Sequence, residues 1–231
     1  MQVNAQYNVA APDSLAIKIA AYQRRRMFAH FMEESRLQPA DTLLDVGVTS
    51  DQSYKSSNYV EAWYAEKNKI TALGLDDASF LQHEYPGLTF VRGNGLALPF
   101  SDQSFDAVHS AAVIEHVGSF QNQVRLISEL FRVARKFIYV TTPNRWFPVE
   151  FHTTLPVLHW LPKETFRAFL RKTGREFFAE ESNLNLLTLS QLRSAALLAD
   201  CGNQFDVKVT AMNLAFWPAN LILMGTRVRR Q

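Results

Sequence analysis

The segment Thr42-Leu-Leu-Asp-Val-Gly-Val-Thr-Ser50 constrains this chain more than any other. Its apolar run ends in Asp45-Val46-Gly47, the pattern of a first strand that delivers a sharp turn to a ligand. No second glycine follows in that loop, so the G-x-G-x-x-G dinucleotide fingerprint is absent. A lone glycine after a strand also punctuates ordinary loops. The remainder of the chain decides between the two readings.

Strands and helices alternate downstream. The patterning predicts strands at residues 42–46, 70–75, 88–92, 105–109 and 137–142. Helices are expected over 58–65 and 120–135, the latter presenting Val124, Ile127, Leu130, Phe131 and Ala134 on one face. Such alternation predicts a parallel sheet covered on both faces, with ligands outside the carboxyl ends of its strands. Before it, Asp13-Ser14 can cap a helix whose Leu15, Ile19, Tyr22, Met27, Phe28 and Phe31 recur at three- and four-residue spacing. After Pro143 the rhythm breaks into a proline-punctuated aromatic segment that no central strand or long helix can contain. Helices at 163–172 and 189–198 and closing strands at 205–214 and 221–228 complete the chain.

These boundaries organise one domain over 1–231: an N-terminal helical cover (1–40), a cofactor-binding core (41–145), a substrate-covering insertion (146–188) and a closing helix with strands (189–231). Twenty-four basic against 22 acidic residues leave a formal charge of +2, which argues against nucleic acid as the main partner. Arg24-Arg25-Arg26 and the terminal Arg227 to Arg230 read as solvated charge. The single cysteine, Cys201, excludes an internal disulfide framework and is assigned a structural use. No leader and no run of about 18 apolar residues occurs, so a cytoplasmic location is expected.

The block Gly93-Asn-Gly-Leu-Ala-Leu-Pro-Phe-Ser-Asp-Gln-Ser-Phe-Asp106, followed by Ala107-Val-His-Ser-Ala-Ala-Val-Ile-Glu-His-Val117, resembles the class I S-adenosylmethionine-dependent methyltransferases. Within them it is most similar to the broad group of ubiquinone-biosynthesis-like small-molecule enzymes (type 11). The resemblance covers about residues 40–145. It implies a Rossmann-like, doubly wound α/β fold with a mostly parallel seven-stranded sheet. It also implies S-adenosylmethionine as cofactor and methylation of a small-molecule or lipid-like acceptor, on oxygen.

Carried over position by position, the resemblance places Asp45, Gly47 and Thr49 in the first cofactor turn, with Asp76 accepting from the ribose hydroxyls. Asn94, Gly95 and Leu96 fall beside the adenine, and Ser110 and Ala111 near the reacting sulfonium. Asn94 stands where the family often has Asp, and its amide oxygen can accept from the adenine amino group. The first turn departs from the family, because β-branched Val48 and Thr49 replace further glycines. Thr49, Ser50 and Asp51 offer polar groups for the methionine end of the cofactor.

His116 is the first candidate for a general base and His152, in the aromatic insertion, the second. His109 reads as a core or sheet-edge residue. The Glu115-His116 pair resembles a cation site of some quinone-type O-methyltransferases, but two ligands are too few, and no metal is expected. Trp160, Leu161, Phe166, Phe169 and Leu170 beside Lys163, Arg167, Arg171 and Lys172 fit either core packing or peripheral membrane contact through 146–172. Three alternatives stay open. They are a noncatalytic Rossmann-like scaffold with a degenerate cofactor site, a nicotinamide-dependent oxidoreductase, and a methyltransferase acting on nucleic acid or protein.

Overall fold

The computed structural model describes residues 14–53, 56–200 and 202–228. Cys201, Arg229 and Arg230, assigned above, lie outside the described residues.

Seven strands form one sheet in the order β3-β2-β1-β4-β5-β7-β6. They are β1 (Leu43–Val46), β2 (Ile70–Gly74), β3 (Thr89–Arg92), β4 (Phe105–Ala111), β5 (Ala134–Pro143), β6 (Phe205–Leu214) and β7 (Trp217–Arg227). The first five pair in parallel, and β7 runs antiparallel to both β5 and β6. Every residue of β1 is buried, as are the last seven of β5. That explains their near-continuous apolar character, since a parallel strand covered on both faces has no solvent side. The chain order reverses between β1 and β4, and such a switch point opens a crevice at the carboxyl ends of the strands.

Two cores flank the sheet. On one face α4 (Phe120–Val133) and α7 (Leu189–Ala199) bury Ile127, Leu130, Leu192 and Ala196 against Leu44, Val46 and Val108. Ser119 and Thr188 cap these helices, the latter in a complete capping box with Gln191. On the other face α1 (Leu15–Ser35) and α2 (Tyr59–Trp63) cover Leu43, Ala107 and Tyr139. α1 docks most deeply toward its end: Phe31 is fully buried, whereas Leu15 and Tyr22 are exposed. A short α3 (Phe80–Glu84) links β2 and β3 where the periodicity was too brief to announce a helix.

The expected helix at 120–135 ends earlier. Ala134 turns extended and opens β5, and Arg135 reaches Asp106 Oδ1 at 3.0 Å. Pairing of Ala134 with Phe105 of β4 overrides helix propensity there. The second closing strand starts at Trp217, four residues before the expected start, because antiparallel pairing with β6 extends to Leu214.

The insertion contains α5 (Lys163–Lys172) and α6 (Glu176–Ala179) with a core of its own, in which Phe166 and Leu170 pack with Phe178, Leu184 and Leu186. Two of the apolar residues that suited a membrane-facing helix are thus spent on packing. None of the helices among the described residues is long and apolar enough to cross a membrane.

Arg24, Arg25, Arg26 and Arg227 make contacts to the protein, while Arg25 remains exposed as a solvated charge. Arg24 Nη1 donates to Ser56 Oγ at 2.9 Å, Arg25 sits over the Trp63 ring at 5.1 Å, and Arg26 donates to the Asn213 carbonyl. Arg227 donates to the carbonyls of Phe131 and Ala134. Spacing along a helix cannot reveal such long-range acceptors.

Candidate functional site

A cleft of about 280 Å³ opens at the β1/β4 switch point. Gly47, Val48 and Thr49 form one wall, Gly93, Asn94 and Gly95 another, and Ala111, Ala112 and Val113 the floor, with His116 and His152 at the far side. The turn that lacks glycines is organised by different means. Gly47 takes φ +104°, and a Cβ added there would overlap the Val113 side chain. The amides of Gly47 and Val48 both donate to the Leu73 carbonyl, at 2.7 and 3.1 Å. Asn58 then clamps the next residue, its Oδ1 accepting from Thr49 N at 2.9 Å and its Nδ2 donating to Thr49 O at 3.0 Å. Val48, driven into the core, is buried. One left-handed glycine and an asparagine clamp thus stand where a run of glycines would otherwise be needed.

Of the residues singled out from the sequence, Gly47, Thr49, Asn94, Gly95, Ala111, His116 and His152 line this cleft. Three are directed elsewhere. Asp45 turns to the opposite face of the sheet and meets His109; Ser110 is fully buried, its Oγ donating to Val46 O at 2.9 Å; Leu96 packs against the core under α4. Strand alternation sends neighbouring side chains to opposite faces, so Val46, not Asp45, reaches the cleft. Asp76 lies one residue beyond the cleft-lining Leu75, and its Oδ2 is buried without a donor. Asn94 Oδ1 accepts from Leu96 N at 2.9 Å, which leaves the second lone pair of that oxygen. Asp51 Oδ1 accepts from Ser53 N at 2.8 Å within the loop. Arg24 and Asn58 carried no local signal in the sequence, because Arg24 reaches Ser56 across 32 residues and Asn58 clamps the backbone of Thr49, 9 residues before it.

The chemically richest wall joins a short 3₁₀ turn (Ile114–His116) to the insertion. His116 Nδ1 meets the Asn183 carbonyl at 2.6 Å, which makes Nδ1 the protonated nitrogen and leaves Nε2 facing His152 Nε2 at 3.1 Å. His152 Nδ1 in turn faces Glu150 Oε1 at 2.7 Å. Glu150 also accepts from the amides of His152 and Thr153, an orientation fixed within a three-residue turn. Glu115 is fully buried, with Oε2 accepting from Thr142 Oγ1 at 2.9 Å and Oε1 lacking a donor. Burial and the neighbouring His152 push His116 down to about 3. Burial opposes protonation of His152 as well, but Glu150 and Glu115 outweigh it and raise the ring above its usual range. Burial lifts Glu115 to about 6. The Glu150-Phe-His152 dyad was readable only as a histidine in an aromatic segment; its proximity to His116 is a product of the fold.

A second polar cluster is sealed under α1 and α2. His109 Nδ1 lies 2.6 Å from Asp45 Oδ1 and its Nε2 lies 2.9 Å from the Tyr59 hydroxyl, with the Tyr139 ring stacked alongside. Burial pushes Asp45 up to about 7 and His109 down to about 4. Burial next to Asp45 raises Glu61 well above its ordinary value.

Residues 45–137 match a family model described as a methyltransferase domain. A protein of Mycolicibacterium vanbaalenii named as an uncharacterized methyltransferase is 38% identical over 101 residues, which span 41% of this chain and 35% of that protein. A Thermotoga maritima structure described as an S-adenosylmethionine-dependent methyltransferase, possible histamine N-methyltransferase, aligns with TM-score 0.55 and 15% identity, over 92% of this chain and 91% of that one. A Haemonchus contortus phosphoethanolamine N-methyltransferase 2, in complex with S-adenosylmethionine, aligns with TM-score 0.57 and 13% identity, over 89% of this chain and 53% of that one. At such identities the structural likeness speaks for the fold.

Proposed function

We propose that this chain, a member of the class I S-adenosylmethionine-dependent methyltransferases, uses the β1/β4 cleft to methylate a hydroxyl of a small or lipid-like acceptor. The carrying observation is the shape and chemistry of the cleft. At Gly47, Gly93 and Gly95 an added side chain would collide with packed neighbours, so bare backbone forms these parts of the cleft wall. Asp76, whose buried Oδ2 has no donor, offers an acceptor for a pair of sugar hydroxyls. Bound S-adenosylmethionine supplies an electrophilic methyl group on a sulfonium.

The protein's own share is alignment, exclusion of water and handling of one proton. Asn94 and Gly95 would meet the adenine, while Thr49, held by Asn58, and Ala111 line the same cleft and would meet the methionine end. These residues would align an acceptor oxygen in line with the methyl group that the bound cofactor would supply. An amine can attack as the free base, whereas a hydroxyl must shed its proton. The His116–His152 pair supports oxygen as the target: once the proton shared by its two Nε2 atoms has left, the pair can take the hydroxyl proton and hold it across their 3.1 Å separation. The aromatic insertion that delivers His152 covers the acceptor and gives it an apolar setting.

Calorimetric titration with S-adenosylmethionine and S-adenosylhomocysteine tests the cofactor part. Saturable binding is expected, and a folded protein that binds neither would move a noncatalytic scaffold to first place. Methyl transfer to hydroxyl acceptors, compared with amine analogues of the same skeleton, tests the choice of oxygen.

A further inference from the structure

The geometry points to a divalent transition-metal site at the cleft wall, formed by Glu115 Oε1, His116 Nε2 and His152 Nε2. These three ligand atoms lie within 4.8 Å of one another. The two Nε2 atoms are 3.1 Å apart, and Glu115 Oε1 is 3.9 Å from that of His116. Bonds of about 2.1 Å to a common ion place neighbouring ligand atoms about 3.0–3.4 Å apart, so the nitrogens already stand at ligand spacing and Glu115 needs to move by about 1 Å.

The supporting shell favours a built site over a chance cluster. A metal-binding imidazole coordinates through one nitrogen while the other donates to a carbonyl or carboxylate. His116 does so through Asn183 O at 2.6 Å and His152 through Glu150 Oε1 at 2.7 Å. Thr142 holds the other oxygen of Glu115 at 2.9 Å, turning its unpartnered, fully buried Oε1 toward the two rings. In the metal-free protein a single proton must sit between the two Nε2 atoms, and the cation takes the place of that proton.

Two imidazoles and one carboxylate suit zinc, iron, cobalt or nickel better than magnesium or calcium, which prefer all-oxygen shells. Three protein ligands leave coordination positions open, the mark of a catalytic rather than structural ion. Because His116 and His152 line the cleft, those positions face the acceptor side, where a hydroxyl oxygen would be held and its proton released to solvent. The site does not depend on the methyl-transfer reading.

The test is uptake of Co²⁺ by the full-length protein stripped of metal, read by visible absorption and by calorimetry, with S-adenosylhomocysteine titrated in parallel as a separate readout of the cofactor cleft. One Co²⁺ per chain is expected, competed by Zn²⁺ and not by Mg²⁺. His152→Ala and Glu115→Gln should abolish uptake, and Glu150→Gln should weaken it about 10–100-fold. Absence of saturable uptake by the folded wild type, or uptake unchanged in folded His152→Ala, overturns the site. His152 stands on the insertion, so its variant decides the matter if Glu115→Gln fails to fold. Co²⁺ uptake without homocysteine-analogue binding would uphold the metal site while removing the methyltransferase reading; the converse would do the reverse.

Discussion

Two histidine–carboxylate clusters sit on this sheet, built from the same residue types and put to different ends. Asp45, His109 and Tyr59 form a closed set, in which both ring nitrogens of a fully buried histidine meet protein partners. Glu115, His116, His152 and Glu150 form an open one: two ring nitrogens face each other, one carboxylate oxygen lacks a donor, and both rings touch the cleft. The contrast teaches that composition does not make a site. A histidine whose two nitrogens are satisfied in a sealed core serves the fold, while groups left with capacity at a cavity wall are available to a ligand.

The sharpest way to break this comparison is a pair of alanine substitutions. His116→Ala should lower kcat by about 10²–10⁴-fold with cofactor affinity kept, the range typical of a lost acid–base group. Full activity in steady-state assays would remove His116 from the reaction. His109→Ala should act on stability instead, costing about 3 kcal/mol by leaving Asp45 and the Tyr59 hydroxyl without their partner. Denaturant titration checks this, and a kcat loss at unchanged stability would erase the distinction between the clusters.

The sealed cluster also carries a pH signature. The Asp45 carboxyl is raised to about 7 by burial, so the folded protein holds its proton more tightly than the unfolded chain does. Its contribution is therefore fully present below about pH 4 and is lost as pH rises toward 7. Asp45→Asn should flatten that part of the stability profile, and an unchanged slope between pH 4 and 7 would show that Asp45 does not titrate there. A smaller effect is expected at the cofactor wall. Asp76→Ala should weaken S-adenosylhomocysteine binding by about 2 kcal/mol, and equal affinities in calorimetry would exclude Asp76 from the sugar contact.

Much of the sheet was legible because buried parallel strands must be apolar and bounded by turn residues. The ranges for α5 and β6 match their patterns residue for residue. Misreadings cluster where tertiary contact outweighs local preference. Ala134 and Arg135 join a strand although they continue a helical pattern, and Leu15 and Tyr22 stay exposed although they fit the apolar spacing of α1. At the site, Gly47 was visible through the strand-turn pattern, and Asn94 and His116 through the family resemblance. Asp45 was misdirected because the motif names a residue without naming the face of the strand it occupies.

The sequence by itself determined the alternation of strands and helices, the sharp turn at Gly47 and the block that resembles the methyltransferases, since all are local patterns of polarity and backbone freedom. Only the tertiary structure decided that Asn58 would stand in for missing glycines, that His109 would be sealed, and that an insertion 36 residues along the chain would bring His152 to His116. Contacts of that range depend on how packed layers bring distant segments together, and no window of residues records the distance between them.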